Sequence, residues 1–257
     1  MVRLKMHGFY DKIIDHAYVE SEDFIDCYDD SAVQNCDTLV DKSIALMIEP
    51  RSIMPRGYEF IENGGWKRFK YVFTHDSKLL KELPNARLIY VGTVWYRSDV
   101  PKTKHISLVC SFKKMCELHK LRKELAYFYE DAPYVDVFGD YKYHRQMGWV
   151  EPEKYLRDYR YSIVVENYID DFYFTEKILN CFANKVIPIY IGARRIGTCF
   201  ESNGIVQICN PSILPEYVDS IIYGYGSEAY YESKREYIEV NYEIPKKYDR
   251  FENWFFK

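Results

Sequence analysis

The sequence is most informative first for what it lacks. No run approaches the roughly 18 apolar residues of a membrane span. The opening MVRLKMHGFYDKIIDHAYVE carries early positive charge without the apolar core of a secretory signal. Basic charge is not in excess: 35 Lys and Arg stand against 39 Asp and Glu, a formal charge of −4. No general field for holding nucleic acid follows from that balance, so nucleic acid is not an expected partner. The seven cysteines, Cys27, Cys36, Cys110, Cys116, Cys181, Cys199 and Cys209, form no C-x-x-C pair, and neither they nor the histidines gather at metal-ligand spacing. There is no D-x-D, an acidic motif that commonly holds a divalent ion; Asp170-Asp171 comes nearest and reads as loop acids. Internal repeats and low-complexity tracts are missing too. Together these absences lead us to expect a soluble, cytoplasmic protein with reduced thiols and without a metal or cofactor.

What remains is a chain of 257 residues, 47% hydrophobic, enough for a large core in one or two domains. Aromatics make up 18%, including 26 tyrosines. A tyrosine offers a flat apolar face with a polar tip and suits sugar or base recognition, although compositional bias of an A/T-rich genome explains the number equally well. Apolar runs alternate with helical patterns, which predicts an α/β fold with parallel sheets. The first half offers strands at VRLKM, SIALMIE, KYVFTHD and ARLIYVG, with a short helix beginning at Asp76 or Ser77. The polar, proline-bearing YRSDVPKTK, Tyr96 to Lys104, reads as a linker, so the expected division is 1–100 and 101–257.

The second half restarts with the strand HISLVCS and a helix from about Lys114 to Tyr129, in which Leu118, Leu121, Leu125 and Phe128 share one face. YVDVFGD follows as a strand, then a short helix with Pro152 in its first turn. YSIVVEN is too continuously apolar to be exposed on either face and belongs inside a parallel sheet. It ends on Glu166-Asn167, and the next helix begins at Thr175-Glu176-Lys177. Ligands of parallel α/β sheets bind where strands end and helices begin. A helix N-terminus and the Lys177 ammonium attract phosphate, while Glu166, Asn167 and Glu176 can meet hydroxyls; phosphate with hydroxyls describes a nucleotide sugar. Thr175 and Glu176 also fit a plain N-cap and a first-turn acid. A carboxylate as deep as Glu166 needs a partner in either case. In the first half, Glu49 ends an apolar strand ahead of Pro50, on a loop where it is either a solvated acid or a base facing a ligand.

The stretch YRYSIVVENYIDDFYFTEKILNCFANKVIPIYIGA resembles the donor-binding signature of the α-1,3/4-fucosyltransferases, glycosyltransferase family 10. That signature runs Y-x-F-x-x-x-x-E-N, a short acidic gap, Y-x-T-E-K, a helix and P-x-x-x-G. Tyr159, Tyr161, Glu166, Asn167, Tyr173, Thr175, Glu176, Lys177, Pro188 and Gly192 stand at the matching places. Upstream, Arg122 in KHISLVCSFKKMCELHKLRKEL matches the family's arginine-bearing helix, and YVDVFGD its V-D-x-Y-G strand. The resemblance spans Lys104 to Gly192. It implies a GT-B-like enzyme, with two Rossmann-like domains facing a cleft, that transfers fucose from GDP-fucose with inversion and without a metal. The first domain would take a glycan or lipid-linked glycan acceptor and the second the nucleotide sugar. Arg122 and Lys177 would neutralise the diphosphate, Asn167 and Glu176 approach the donor's sugar and ribose, and Tyr173 line the same pocket. The family's general base is a glutamate before a proline-containing loop, matched here by Glu49, with Glu59, Glu62, His75 and Asp76 as neighbouring alternatives. The tail KKYDRFENWFFK, with Trp254, Phe255 and Phe256, is expected to pack back on the first domain or to touch a membrane surface peripherally.

Overall fold

The computed structural model describes residues 3–8, 24–224 and 226–248. The tail residues Trp254, Phe255 and Phe256 lie outside the described residues. The chain divides into two compact units, Met1–Tyr90 and Val91–Lys257. No helix among the described residues is long and apolar enough to cross a membrane.

In the first unit, β1 (Arg3–His7), β2 (Phe24–Asp29), β3 (Ser43–Met47), β4 (Tyr71–Thr74) and β5 (Ala86–Leu88) pair in parallel and lie side by side in chain order. All five residues of β3 are buried, as its uninterrupted SIALM demands of a central strand. Met47 and Ala45 pack with Val72, Tyr58 and Ile61, the last two from α1 (Pro55–Glu62). The helix α2 (Ser77–Glu82) is capped by Asp76, whose carboxylate accepts the Leu79 amide at 2.9 Å. β2 is a strand that apolar patterning does not reveal, because Asp26 and Asp29 interrupt it. Asp26 is nonetheless partnered, by the His7 ring at 2.7 Å and the Thr38 hydroxyl at 3.2 Å.

The second unit carries β6 (Lys104–Val109), β7 (Val135–Phe138), β8 (Tyr159–Val165), β9 (Ile187–Ile191) and β10 (Val206–Gln207), again all parallel, but in the order β10-β9-β8-β6-β7. β8 is buried along its whole length at the centre. The helices α3 (Glu117–Tyr129), α4 (Pro152–Leu156) and α5 (Glu176–Ala183) connect these strands, and α6 (Leu214–Asp219), α7 (Ser227–Ser233) and α8 (Arg235–Glu243) follow. Two isoleucines of β9, Ile189 and Ile191, share a core with Leu108, Leu125, Val165 and Leu214.

Two local readings are corrected. The buried face of α3 is His119, Arg122, Leu125, Ala126 and Tyr129, whereas Phe128 is exposed. Apolar periodicity misplaces this face because two polar side chains turn inward. The 96–104 segment does not run free between units. Asn180 of α5 accepts the backbone amides of Trp95 and Tyr96 at 2.8 and 3.1 Å, and Asn184 donates to the Tyr96 carbonyl at 2.7 Å and accepts from the Ser98 hydroxyl at 2.7 Å. Two asparagines four residues apart share one helix face, and here that face straps an extended segment along the helix.

Candidate active site

In the second unit, β7 lies on one side of β6 and β8 on the other. Right-handed crossovers then send the connections leaving β6 and β8 to opposite faces, and a crevice opens between the carboxyl ends of these two strands. The residues after β6 lead into α3 with His119 and Arg122. Those after β8 are Glu166 and Asn167, then the start of α5 at Thr175, Glu176 and Lys177. Topology thus brings together most of the site expected from sequence.

Glu166 sits beneath this rim. Its carboxylate is fully buried and accepts the Thr175 amide at 3.0 Å and the Thr175 hydroxyl at 2.8 Å, with the Lys177 ammonium 3.5 Å away. Burial holds the carboxyl above the usual range, while Lys177 and Thr175 pull it back. The α5 N-terminus therefore already holds an anion of its own. The close approach of Gly92 reinforces this: at φ +125° a Cβ there would lie 2.6 Å from the Glu176 amide. The first amides of this helix end are thus partly taken from within, the Thr175 amide by Glu166 and the Lys177 amide by the Thr175 hydroxyl. Tyr173 is likewise sealed, 1% exposed, and Thr175 is buried as the N-cap, its hydroxyl accepting the Lys177 amide at 3.4 Å. Gly192 is needed because a side chain would strike the Tyr190 hydroxyl and the Glu166 stem, at 2.3 and 2.6 Å from its Cβ.

Lys177 and Glu176 are the members of this cluster that reach solvent, with side chains 24% and 22% exposed and 3.1 Å apart. Burial alone would lower the lysine, but Glu176 and Glu166 more than offset it and hold the ammonium above its ordinary pKa. Glu176 is the converse: burial raises it, and Lys177 brings it below the ordinary carboxylate range. Both stay charged at neutral pH. From α3, the buried Arg122 guanidinium donates through Nη2 to the Val165 carbonyl and, at 3.2 Å, to Asn167 Oδ1. Sequence reasoning missed His119, one turn earlier on the same face. Its Nε2 lies 3.0 Å from Asn167 Oδ1, and its Nδ1 accepts the Met115 amide at 3.1 Å. The spacing of three from Arg122 is the signal that would have found it. Lys113, Arg122 and Lys177 all bear electrostatically on His119, so positive charge gathers around it. Such charge can hold a diphosphate and stabilise charge on it as a bond to it breaks.

Glu49 belongs to the first unit, two residues past β3, and is half-buried. The backbone at Ile48 and Glu49 is gripped from two other strand ends and a helix. The Asp30 carboxylate accepts the Glu49 and Ile48 amides at 2.6 and 3.0 Å, the Tyr58 hydroxyl donates to the Glu49 carbonyl at 2.9 Å, and the His75 ring lies 3.1 Å from the Ile48 carbonyl. Asp30, just past β2, went unread in the sequence because a lone acid after a hidden strand has no motif. Burial pushes its carboxyl up to about 8, against the pull of the Glu49 amide, with the Asp29 and Glu49 charges adding to the rise. Of the alternatives to Glu49, Asp76 caps α2 and pairs with Arg51 at 2.9 Å, and Glu62 pairs with Arg51 and Lys78 at 3.2 and 2.8 Å. Among the described residues no group of three His, Cys, Asp or Glu is arranged to hold a metal ion.

Residues 101–204, which contain the whole crevice, match the family model "Glycosyltransferase family 10 (fucosyltransferase) C-term". The resemblance read from the sequence is thus met by a family model over these residues, which lie within the second unit. Solved structures agree at the level of fold. An α1,3-fucosyltransferase crystallised with GDP-fucose superposes at a TM-score of 0.53 with 14% identity, covering 95% of this chain and 81% of that one. An α1,3-fucosyltransferase crystallised with GDP gives 0.52 with 15% identity, over 91% and 75%. Identities this low speak for the GT-B-like α/β architecture alone. No curated protein matches the sequence.

Proposed function

We propose that this protein is an inverting fucosyltransferase that transfers fucose from GDP-fucose to a hydroxyl of a glycan acceptor. The observation that carries the reading is the convergence of Arg122, Asn167, Glu176 and Lys177 at the β6/β8 crevice, inside the residues that match the fucosyltransferase family. The structural neighbours named for GDP-fucose and GDP support the choice of donor. In this reaction the acceptor oxygen bonds to the anomeric carbon as the bond from that carbon to the diphosphate breaks. Glu49 takes the acceptor's proton, and GDP leaves with the bonding pair. Arg122 and Lys177 supply the positive charge that stabilises the departing diphosphate, work that a divalent ion does in other transferases, and we propose that no metal is required. Asn167 and Glu176 hold donor hydroxyl or phosphate oxygens. Glu166, Thr175 and Tyr173 act from underneath by setting the place of Lys177 and the loop before it.

The test is a screen of nucleotide sugars by thermal shift, followed by release of nucleoside diphosphate with an acceptor present and excess EDTA. We expect GDP-fucose to give the largest stabilisation and turnover to survive the chelator. Preference for another nucleotide sugar identifies a sister GT-B transferase. Binding without time-dependent release identifies a non-catalytic nucleotide- or carbohydrate-binding module.

A further inference from the structure

We propose that His119 is a positioning residue for the donor, fixing the Asn167 side-chain amide with its oxygen turned into the protein and its nitrogen offered to the nucleotide sugar. The inference rests on the reading of the β6/β8 crevice as the donor site. It begins with the imidazole. Nδ1 accepts the Met115 amide hydrogen at 3.1 Å, so the proton of a neutral ring is on Nε2. Nε2 therefore donates, and its partner at 3.0 Å must be an acceptor, which makes the facing atom of Asn167 its oxygen. Arg122, which has only donors, points at the same atom from 3.2 Å. Two donors on one oxygen exclude the flipped amide, in which N–H would face N–H. Because the amide is planar, Nδ2 is then directed away from both, as a hydrogen-bond donor for an acceptor atom of the ligand, a hydroxyl or phosphate oxygen. Asn167 itself is half-buried, and His119 and Arg122 below it are buried.

The charge state supports this arrangement. Burial first, and the Arg122 charge second, bring His119 down to about 4, with Lys113 and Lys177 acting in the same direction. The ring is neutral across the physiological range, and the Met115 bond is kept. Had His119 been cationic, Nδ1 would carry a proton and lose that bond. The arrangement also explains why a histidine is used: it accepts from the backbone on one side and donates to Asn167 on the other, along one rigid ring.

The experiment measures GDP and GDP-fucose affinity by calorimetry for the full chain and for His119→Ala, His119→Gln, Asn167→Ala and the double variant His119→Ala/Asn167→Ala. Losing the fixed amide is expected to weaken donor binding about tenfold in His119→Ala. Gln places an N–H donor near the Nε2 position, so His119→Gln should recover to within about threefold of the parent although it gives up the Met115 bond. The double variant should bind no more weakly than Asn167→Ala, because His119 acts through Asn167. Additive losses, or a Gln variant as weak as Ala, overturn the proposal in favour of a merely structural histidine. The ¹⁵N shifts of the imidazole, read without ligand between pH 5 and 8, should show the Nε2–H tautomer throughout; the other tautomer or a titrating ring also overturns it. If the parent binds neither GDP nor GDP-fucose, the donor reading fails, and the tautomer measurement shows whether the His119–Asn167 geometry stands without it.

Discussion

Two parallel five-stranded sheets end their strands on charged rows of different character. In the first unit the residues past β2, β3 and β4 are Asp30, Glu49 and Asp76, a row of acids. In the second, the elements past β6 and β8 bring Arg122 and Lys177 to one crevice, while the buried Glu166 is paired with Thr175 and Lys177. The strand orders differ as well. The first sheet runs β1 to β5 without reversal, so among the described strands it has no switch point, and the second reverses between β6 and β8. The proposed function gives the acidic row the base and the acceptor hydroxyl, and the crevice with Arg122 and Lys177 the anionic donor. The same kind of sheet thus ends in rows of opposite charge, depending on strand order and on which residues follow the strands.

That comparison breaks first at Glu49. Glu49→Gln keeps the backbone grip of Asp30 and Tyr58 but cannot take a proton, so transfer should fall by about two to four orders of magnitude while donor affinity is kept. Ordinary turnover in steady-state assays removes the base from Glu49 and points to Glu59, His75 and other groups of the first unit. Next are the cations. Arg122→Ala and Lys177→Ala should each lose about 3 kcal/mol of transition-state stabilisation, roughly a hundredfold in rate. Lys177→Ala should also lower the melting temperature, because the buried Glu166 loses its counter-ion. Turnover within threefold of the parent in either variant denies that cation its role.

The smallest effect concerns Asp30 and sharpens the acidic side. Its folded pKa of about 8 exceeds the ordinary 3.8, so the folded state binds more protons than the unfolded one between those values. This stability is fully present below about pH 4 and is lost as pH rises towards 8. In thermal melts from pH 5 to 8, Asp30→Asn should lose part of the parent's downward slope. An unchanged slope means that the carboxyl is ionised throughout.

Much of the second unit was legible before any coordinates. The run in YSIVVEN is so continuously apolar that only the inside of a parallel sheet accommodates it, and β8 lies there, buried along its length. Thr175 as N-cap, a helix start at Asp76 or Ser77 and Pro152 in a first turn follow from the few ways a backbone can begin a helix. Three things were not legible. β2 is hidden by acids that find partners across the sheet, at His7 and Thr38. The buried face of α3 carries His119 and Arg122, and periodicity counts only apolar side chains. The Asp30 grip on Glu49 joins residues 19 apart through two backbone amides, which leave no trace in side-chain pattern.

The amino-acid sequence by itself determined the alternation of strand and helix, the central strand of the second sheet, and the chemical types at its carboxyl end, because burial and helix capping act through neighbours in the chain. Only the tertiary structure decided which of those groups reach solvent and which are committed to a partner. It sank Glu166 under the α5 N-terminus, left Lys177 and Glu176 at the surface, and set His119 against Asn167 across 48 residues. Whether a polar atom is open to solvent or committed to a partner depends on what the fold brings against it, and chain order carries no record of that.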